Sequence, residues 1–233
     1  MERVLPFLIL MAAGYFMRRI PGIPENTDRS LNLYVIYIAL PALILVQVPQ
    51  LAFTRSVIVP VLMPWLVVLF SSSLVLGMCR LFRWPREITG ALVLMVPLGN
   101  TAFLGIPMVE LFFGSSGVAF AILYDQFGSF LALATYGTFV ITVYSGSTMP
   151  SSRETARKII MFPPFIALLL ALALRSAAYP QWLLGFLQMT AASLVPVVMV
   201  AIGFQLRLRM EPAERLPLLF GLSARLLVGP LVF

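Results

Sequence analysis

Residues Pro97-Leu98-Gly99-Asn100-Thr101-Ala102-Phe103-Leu104-Gly105-Ile106-Pro107 lie inside an apolar run from about 88 to 113. The run is long enough to cross a bilayer as one helix, yet its centre is built against a continuous one. Each proline removes a backbone donor and presses its ring against the preceding turn. Each glycine adds a further conformational penalty. In hydrocarbon, an unpaired N–H or C=O costs several kcal/mol. An interruption of this kind is tolerated only where it is buried in protein or lines a wet cavity. Broken helices at membrane depth are where secondary transporters hold substrates and ions. The alternative is a proline-kinked helix that serves packing alone.

The rest of the chain reads as membrane protein. Of its 233 residues, 61% are hydrophobic and 11% charged. The mean hydropathy is +0.99, outside the range of soluble domains. Eight apolar segments emerge, at roughly 4–17, 30–48, 57–79, 88–113, 118–144, 159–175, 182–206 and 216–233. The fold class expected is an all-α polytopic membrane protein. The first segment is not a cleaved signal: Arg18 and Arg19 follow it, whereas a signal peptide carries its charge in front. The single cysteine, Cys79, excludes a disulfide framework and a cysteine metal site. With no histidine in the chain, histidine-ligated metals and histidine acid–base catalysis are excluded too. No cofactor is expected.

Lysine and arginine counts in the short loops set the orientation. On the N-terminal side lie Arg3, Arg55 and Arg175. On the other side lie Arg18, Arg19, Arg29, Arg80, Arg83, Arg86, Arg153, Arg157, Lys158, Arg207, Arg209 and Arg215. The side with twelve is assigned to the cytoplasm, which leaves the N-terminus outside. The net charge of +7 is then a topology signal, with the basic loops at an anionic inner leaflet, and no nucleic-acid partner is implied.

Weak internal symmetry runs through the chain. Pro6 and Pro164 lead similar apolar runs and are 158 residues apart. Pro41, in Ala39-Leu40-Pro41-Ala42-Leu43, matches Pro196, in Leu194-Val195-Pro196-Val197-Val198, at a spacing of 155. Pro60 matches Pro217 at 157. Such an offset separates units of five segments, and an odd number inverts the second unit relative to the first. Residues 1–144 are read as the first repeat, with its crossover at 97–107. Residues 145–158 are a cytoplasmic linker, and 159–233 are three segments of a second repeat. On this reading eight of ten helices are present, and a second broken helix is expected near 254–264.

Two motifs carry a resemblance. Leu31-Asn32-Leu33-Tyr34-Val35-Ile36-Tyr37-Ile38-Ala39-Leu40-Pro41-Ala42-Leu43 resembles the second helix of the auxin efflux carrier family. Gly99-Asn100-Thr101-Ala102-Phe103-Leu104-Gly105-Ile106-Pro107 resembles its fourth. The family includes the plant auxin carriers and bacterial malonate and malate permeases. The resemblance covers essentially the whole chain, which looks like a C-terminally truncated member. It implies ten helices in two inverted repeats, with helices 1, 2, 6 and 7 as a scaffold. The others form a mobile unit with crossed, broken helices 4 and 9. It also implies a bacterial inner membrane, a homodimer by analogy, and a small carboxylate as substrate.

Several residues are candidates for the chemistry. Asn100 and Thr101 sit at the break. Freed carbonyls near Leu98–Asn100 could hold a cation or accept donors, and the half-helix that follows points free N–H groups at the same place. By resemblance, Asn100 and the flanking Pro97 and Pro107 belong to the substrate crossover, and Gly99, Thr101 and Gly105 are read as substrate-binding with them. Asp125 lies about 10 Å into the fifth segment at 1.5 Å per residue. A carboxylate there costs about 2.5–3.5 kcal/mol. Asp125, with Gln126 beside it, is therefore read as a proton or sodium coupling site, or else as a structural hydrogen bond. Arg225 stands mid-segment, either as a bidentate clamp for a carboxylate or as the ion-pair partner of Asp125. Pro41 and Pro196 shape the scaffold helices. Glu110 is placed at the membrane interface.

An enzyme is not expected. There is no serine–histidine pair or zinc motif, and the intramembrane acids Glu110 and Asp125 fall on different segments. The function expected is secondary active transport of small organic anions by alternating access. The alternatives are a passive channel or uniporter and a non-transporting fragment that needs a partner chain.

Overall fold

Uniform apolarity favours helices, because only a helix pairs its backbone groups within one segment. A computed structural model describes residues 4–51, 55–175, 177, 179–206 and 215–228, and every regular element among them is helical. In chain order these are α1 (Leu5–Met17), α2 (Thr27–Gln50), α3 (Ile58–Leu81), α4 (Arg86–Met95) and α5 (Thr101–Phe113). There follow α6 (Ser115–Ser145), α7 (Ser152–Ile160), α8 (Pro163–Ala173) and α9 (Gln181–Gln205). The last is α10 (Arg215–Ser223), continued by a π-helical turn over Ala224–Val228. Residues 229–233 of the eighth apolar segment, and Arg3, Arg207 and Arg209 of the loop charges, lie outside the described residues.

Four helices, α2, α3, α6 and α9, are each long and apolar enough to cross a membrane. Among the described residues, α7 and α8 would make a fifth if counted as one broken span. The fourth apolar segment is split into α4 and α5, and the region between Val96 and Asn100 carries no helix. Residues 152–160, within and just beyond the expected linker, are helical because Ser151 and Glu154 form a capping box. The Glu154 carboxylate accepts from the Ser151 N–H at 2.9 Å, and the Ser151 hydroxyl accepts from the Glu154 N–H at 3.2 Å.

Two turns need a left-handed backbone and find glycine. Gly114 (φ 74°) lets α5 fold directly into α6, and Gly146 (φ 71°) ends α6.

Contacts divide the chain into two compact units, each drawing on both halves of the sequence. Unit 1 comprises Met1–Phe53, Thr101–Ile122 and Ile160–Leu208. Unit 2 comprises Thr54–Asn100, Leu123–Ile159 and Arg209–Phe233.

In unit 1, α1 packs on α9 with backbones touching. A methyl group on Gly14 would run into the Val200 carbonyl, and one on Gly203 into that of Met11. Close approach of this kind is how helices associate when lipid is as apolar as their own side chains. The middle of α2, with Ala39, Leu40 and Ile44 fully buried, packs on α8 and α9, where Leu168, Ala171 and Leu194 are buried as well. The Tyr34 and Ser193 hydroxyls pair at 2.7 Å between α2 and α9.

In unit 2, Val75, Cys79, Leu92, Val93, Val96, Val140 and Ala224 form one buried cluster, flanked by Trp84 and Phe220 with ring centres 5.1 Å apart. Cys79 is thus a core residue as well as a helix-end residue. The Pro64 ring fills the space that a side chain at position 128 would need. Beside it, the Trp65 indole donates to the Phe127 carbonyl at 3.0 Å.

The α1–α9 contact makes a prediction. Gly203→Ala places a methyl against the Met11 backbone, and overpacking of this kind costs about 1–3 kcal/mol. The unfolding midpoint in detergent should fall, whereas Gly185→Ala on the same helix, with open space around it, should leave it unchanged.

Candidate functional site

The interruption between α4 and α5 follows from covalent chemistry. The last helical bond of α4 runs from the Val96 N–H to the Leu92 carbonyl at 3.0 Å. In a continuous helix the Val93 carbonyl would next receive the N–H of Pro97, which proline does not have. The Tyr136 hydroxyl takes its place, donating to Val93 O at 2.6 Å and receiving the Ser72 hydroxyl at 2.9 Å. The carbonyls of Met95 and Val96 would receive Gly99 and Asn100, but the chain has left the helix by then. Both instead accept Nη1 of Arg225, at 3.2 and 2.8 Å. Helix ends need such outside donors. Here a tyrosine from α6 and an arginine from the turn after α10 supply them.

Gly99 has a steric role at this point. A Cβ there would collide with the Arg225 guanidinium at Nη2. Its φ is not in the left-handed region, so what the glycine provides here is the space that the guanidinium occupies.

The second proline is accommodated differently. Pro107 is buried and follows a π-helical turn over Thr101–Gly105 that opens α5. Pro41 follows a π-helical turn over Val35–Ala39 in the same way. A π turn shifts the hydrogen-bond register by one residue, which relieves the ring clash that an α turn would impose. Pro196 lies just past Ser193, where α9 is interrupted and the serine hydroxyl donates to Thr190 O at 2.6 Å.

The coupling candidates sit in a third irregular stretch, the π-helical run Tyr124–Phe130 of α6. Asp125 is 5% exposed and Gln126 fully buried. The Gln126 amide donates to the Asp125 carboxylate at 2.7 Å, and its own Oε1 is buried with no partner. The Gln126 Oε1 is thus a buried, unpartnered acceptor beside a buried carboxylate. Such groups inside a membrane are costly and mark function more often than structure.

Pro97, Gly99, Asn100, Asp125, Gln126 and Arg225 all belong to unit 2. Thr101, Gly105, Pro107, Pro41 and Pro196 belong to unit 1. Within unit 2 the structure brings Arg225 against Gly99 and Gln126 against Asp125. Asn100 is exposed at the end of the interrupted stretch, and Thr101 is half-buried at the start of α5.

Unit 1 holds two cavities of about 630 Å³ each. One is lined by Gln47, Gln50, Gln188 and Glu110 among apolar neighbours. Glu110, expected at the interface, faces this cavity. The other is lined by Arg18, Glu25, Asp28, Arg29, Asn32 and Gln205, with Leu33, Ile36 and Phe204. The signal for the first was present in the sequence as polar residues at the margins of apolar segments. Tyr136 and Ser72, in contrast, are ordinary residues of membrane helices, and nothing local announces their role.

The comparisons agree with this architecture. Residues 1–233 match the family described as "Membrane transport protein". An uncharacterized transporter of Methanocaldococcus jannaschii is 30% identical over 219 residues, spanning 88% of this chain and 68% of the relative. An uncharacterized transporter of Methanothermobacter thermautotrophicus is 27% identical over 241 residues, spanning 99% of this chain and 76% of the relative. The helical architecture, the interrupted helix and the full-length match together place the chain in the membrane transport protein family, that of the auxin efflux carriers.

Proposed function

We propose that the protein is a secondary active transporter that carries small organic anions by alternating access. The observation that carries this reading is the interruption after α4, where residues 98–100 leave the helix and α5 restarts at Thr101. A helix begins at Thr101, and the dipole at such an end favours negative charge. A carboxylate suits such a place, with Asn100 and Thr101 supplying side-chain donors. Pro97 and Pro107 hold the chain open there, and Gly105 lets the backbone come close to a ligand.

Asp125 and Gln126 form the coupling site. A proton on Asp125, or a monovalent cation shared by its carboxylate and the Gln126 Oε1, would neutralise a charge that is otherwise buried. The chain sits in the inner membrane with its N-terminus outside, following the lysine and arginine asymmetry.

Three outcomes test this in the full-length protein reconstituted in vesicles. A hydrogen bond to a charged group is worth about 1.5–3 kcal/mol, so Asn100→Ala should raise KM for a carboxylate roughly ten- to a hundredfold. Asp125→Asn should abolish stimulation of uptake by an imposed proton or sodium gradient while leaving substrate counterflow. Full gradient-driven uptake in that variant would remove the coupling role, and uptake indifferent to gradients in the parent would favour a uniporter. A cysteine at the exposed Ser147, on a Cys79→Ser background, should react with a membrane-impermeant maleimide only after permeabilisation.

A further inference from the structure

We propose that Arg225 is a built-in cation that closes the carbonyl end of α4 and so holds the interrupted stretch in place. It would be a positioning residue and would not contact the substrate. The argument rests on unit 2 alone. The Met95 and Val96 carbonyls sit at the negative end of a helix, where a cation is favoured, and Val96 is buried, where an unpaired carbonyl is costly. Nη1 of Arg225 lies within hydrogen-bond distance of both. The guanidinium is half-buried, and its seat is fixed from the preceding turn. Ala224 is buried in the cluster with Val93 and Val96, and a side chain at Gly221 would press on Leu92 and Val96. Phe220 packs edge-on against Trp84. Position 99 completes the arrangement, since a Cβ there would displace Nη2 from its present place.

One consequence is chemical. A broken helix with free carbonyls is where a transporter of this architecture would coordinate a metal cation. Here that seat is already occupied by a side chain of the chain itself. A coupling cation, if there is one, binds elsewhere. The substrate carboxylate, on the reading proposed above, meets the α5 end of the break and does not meet this guanidinium.

The test uses the full-length protein and two readouts. The first is hydrogen exchange of the peptide covering 92–103. Arg225→Ala should raise its exchange at least tenfold, with Arg225→Lys intermediate, while peptides from α1 and α9 stay unchanged. Gly99→Ala should reproduce the effect without touching any charge, and the double variant Gly99→Ala/Arg225→Ala should be no worse than either single one. Added guanidinium ion, but not sodium, should restore protection in Arg225→Ala. Unchanged exchange at 92–103 in Arg225→Ala and in Gly99→Ala would overturn the proposal, as would restoration by sodium.

The second readout is carboxylate uptake. Loss of uptake with restoration by guanidinium fits positioning. A rise in KM that grows from mono- to dicarboxylates, with exchange unchanged, would make Arg225 a substrate clamp and sink the proposal. Raised exchange with unaltered uptake would leave Arg225 as the cap and instead remove the substrate seat proposed at the break. Should Arg225→Ala fail to fold, the Arg225→Lys and Gly99→Ala pair decides the question alone.

Discussion

In a hydrocarbon surrounding, every backbone carbonyl and amide must find a partner inside the protein, and much of this structure is arranged around the few places where the helix cannot supply one. Pro97 removes the donor for Val93, and the chain leaves the helix before Gly99 and Asn100 can serve Met95 and Val96. Those three carbonyls are recovered by Tyr136 and Arg225. The two side chains in turn require the packing of α6 and α10 on α4, so the interruption and the core of unit 2 hold each other in place. The Ser72–Tyr136–Val93 chain shows the same economy, with one hydroxyl both receiving and donating.

Where partners are not imported, the helix changes its winding. The π turns over Val35–Ala39 and Thr101–Gly105 each precede a proline by a residue or two. The π run over Tyr124–Phe130 leaves the Phe127 carbonyl to the Trp65 indole and carries Asp125 and Gln126 into the interior. Asp125 and Gln126, the buried carboxylate and amide among the described residues, both lie in the last of these runs. Elsewhere close packing dominates, as where α1 and α9 meet through Gly14 and Gly203. The unit-1 cavity with Glu110 and three glutamines is a second polar region, lined in part by α5.

The amino-acid sequence alone determined the class of molecule and the position of the break. Apolar segments of spanning length, arginines crowded on one side, and two prolines within a single segment act through covalent and solvation chemistry that no neighbour can alter. A proline lacks its donor in any fold, so the end of α4 was legible. So was the polar character of Asp125 and Gln126. The helix at 152–160 was legible in principle too, from Ser151 and Glu154, but a capping pair in a short basic stretch is a weak signal beside a membrane span.

What only the tertiary structure decided is which distant group meets which orphaned carbonyl. Tyr136 is 43 residues from Val93, and Arg225 is 129 from Val96. A helix that is apolar all round has no amphipathic stripe to say which face meets which neighbour, so periodicity could not pair them. For that reason Arg225 read as a clamp for an outside anion or a partner for Asp125, and its bonds to the carbonyls of Met95 and Val96 came only with the fold. Gly99 read as a breaker of helix, when its missing side chain is the space the guanidinium occupies. Packing between segments far apart in sequence sets both roles, and that packing exists only once the chain has folded.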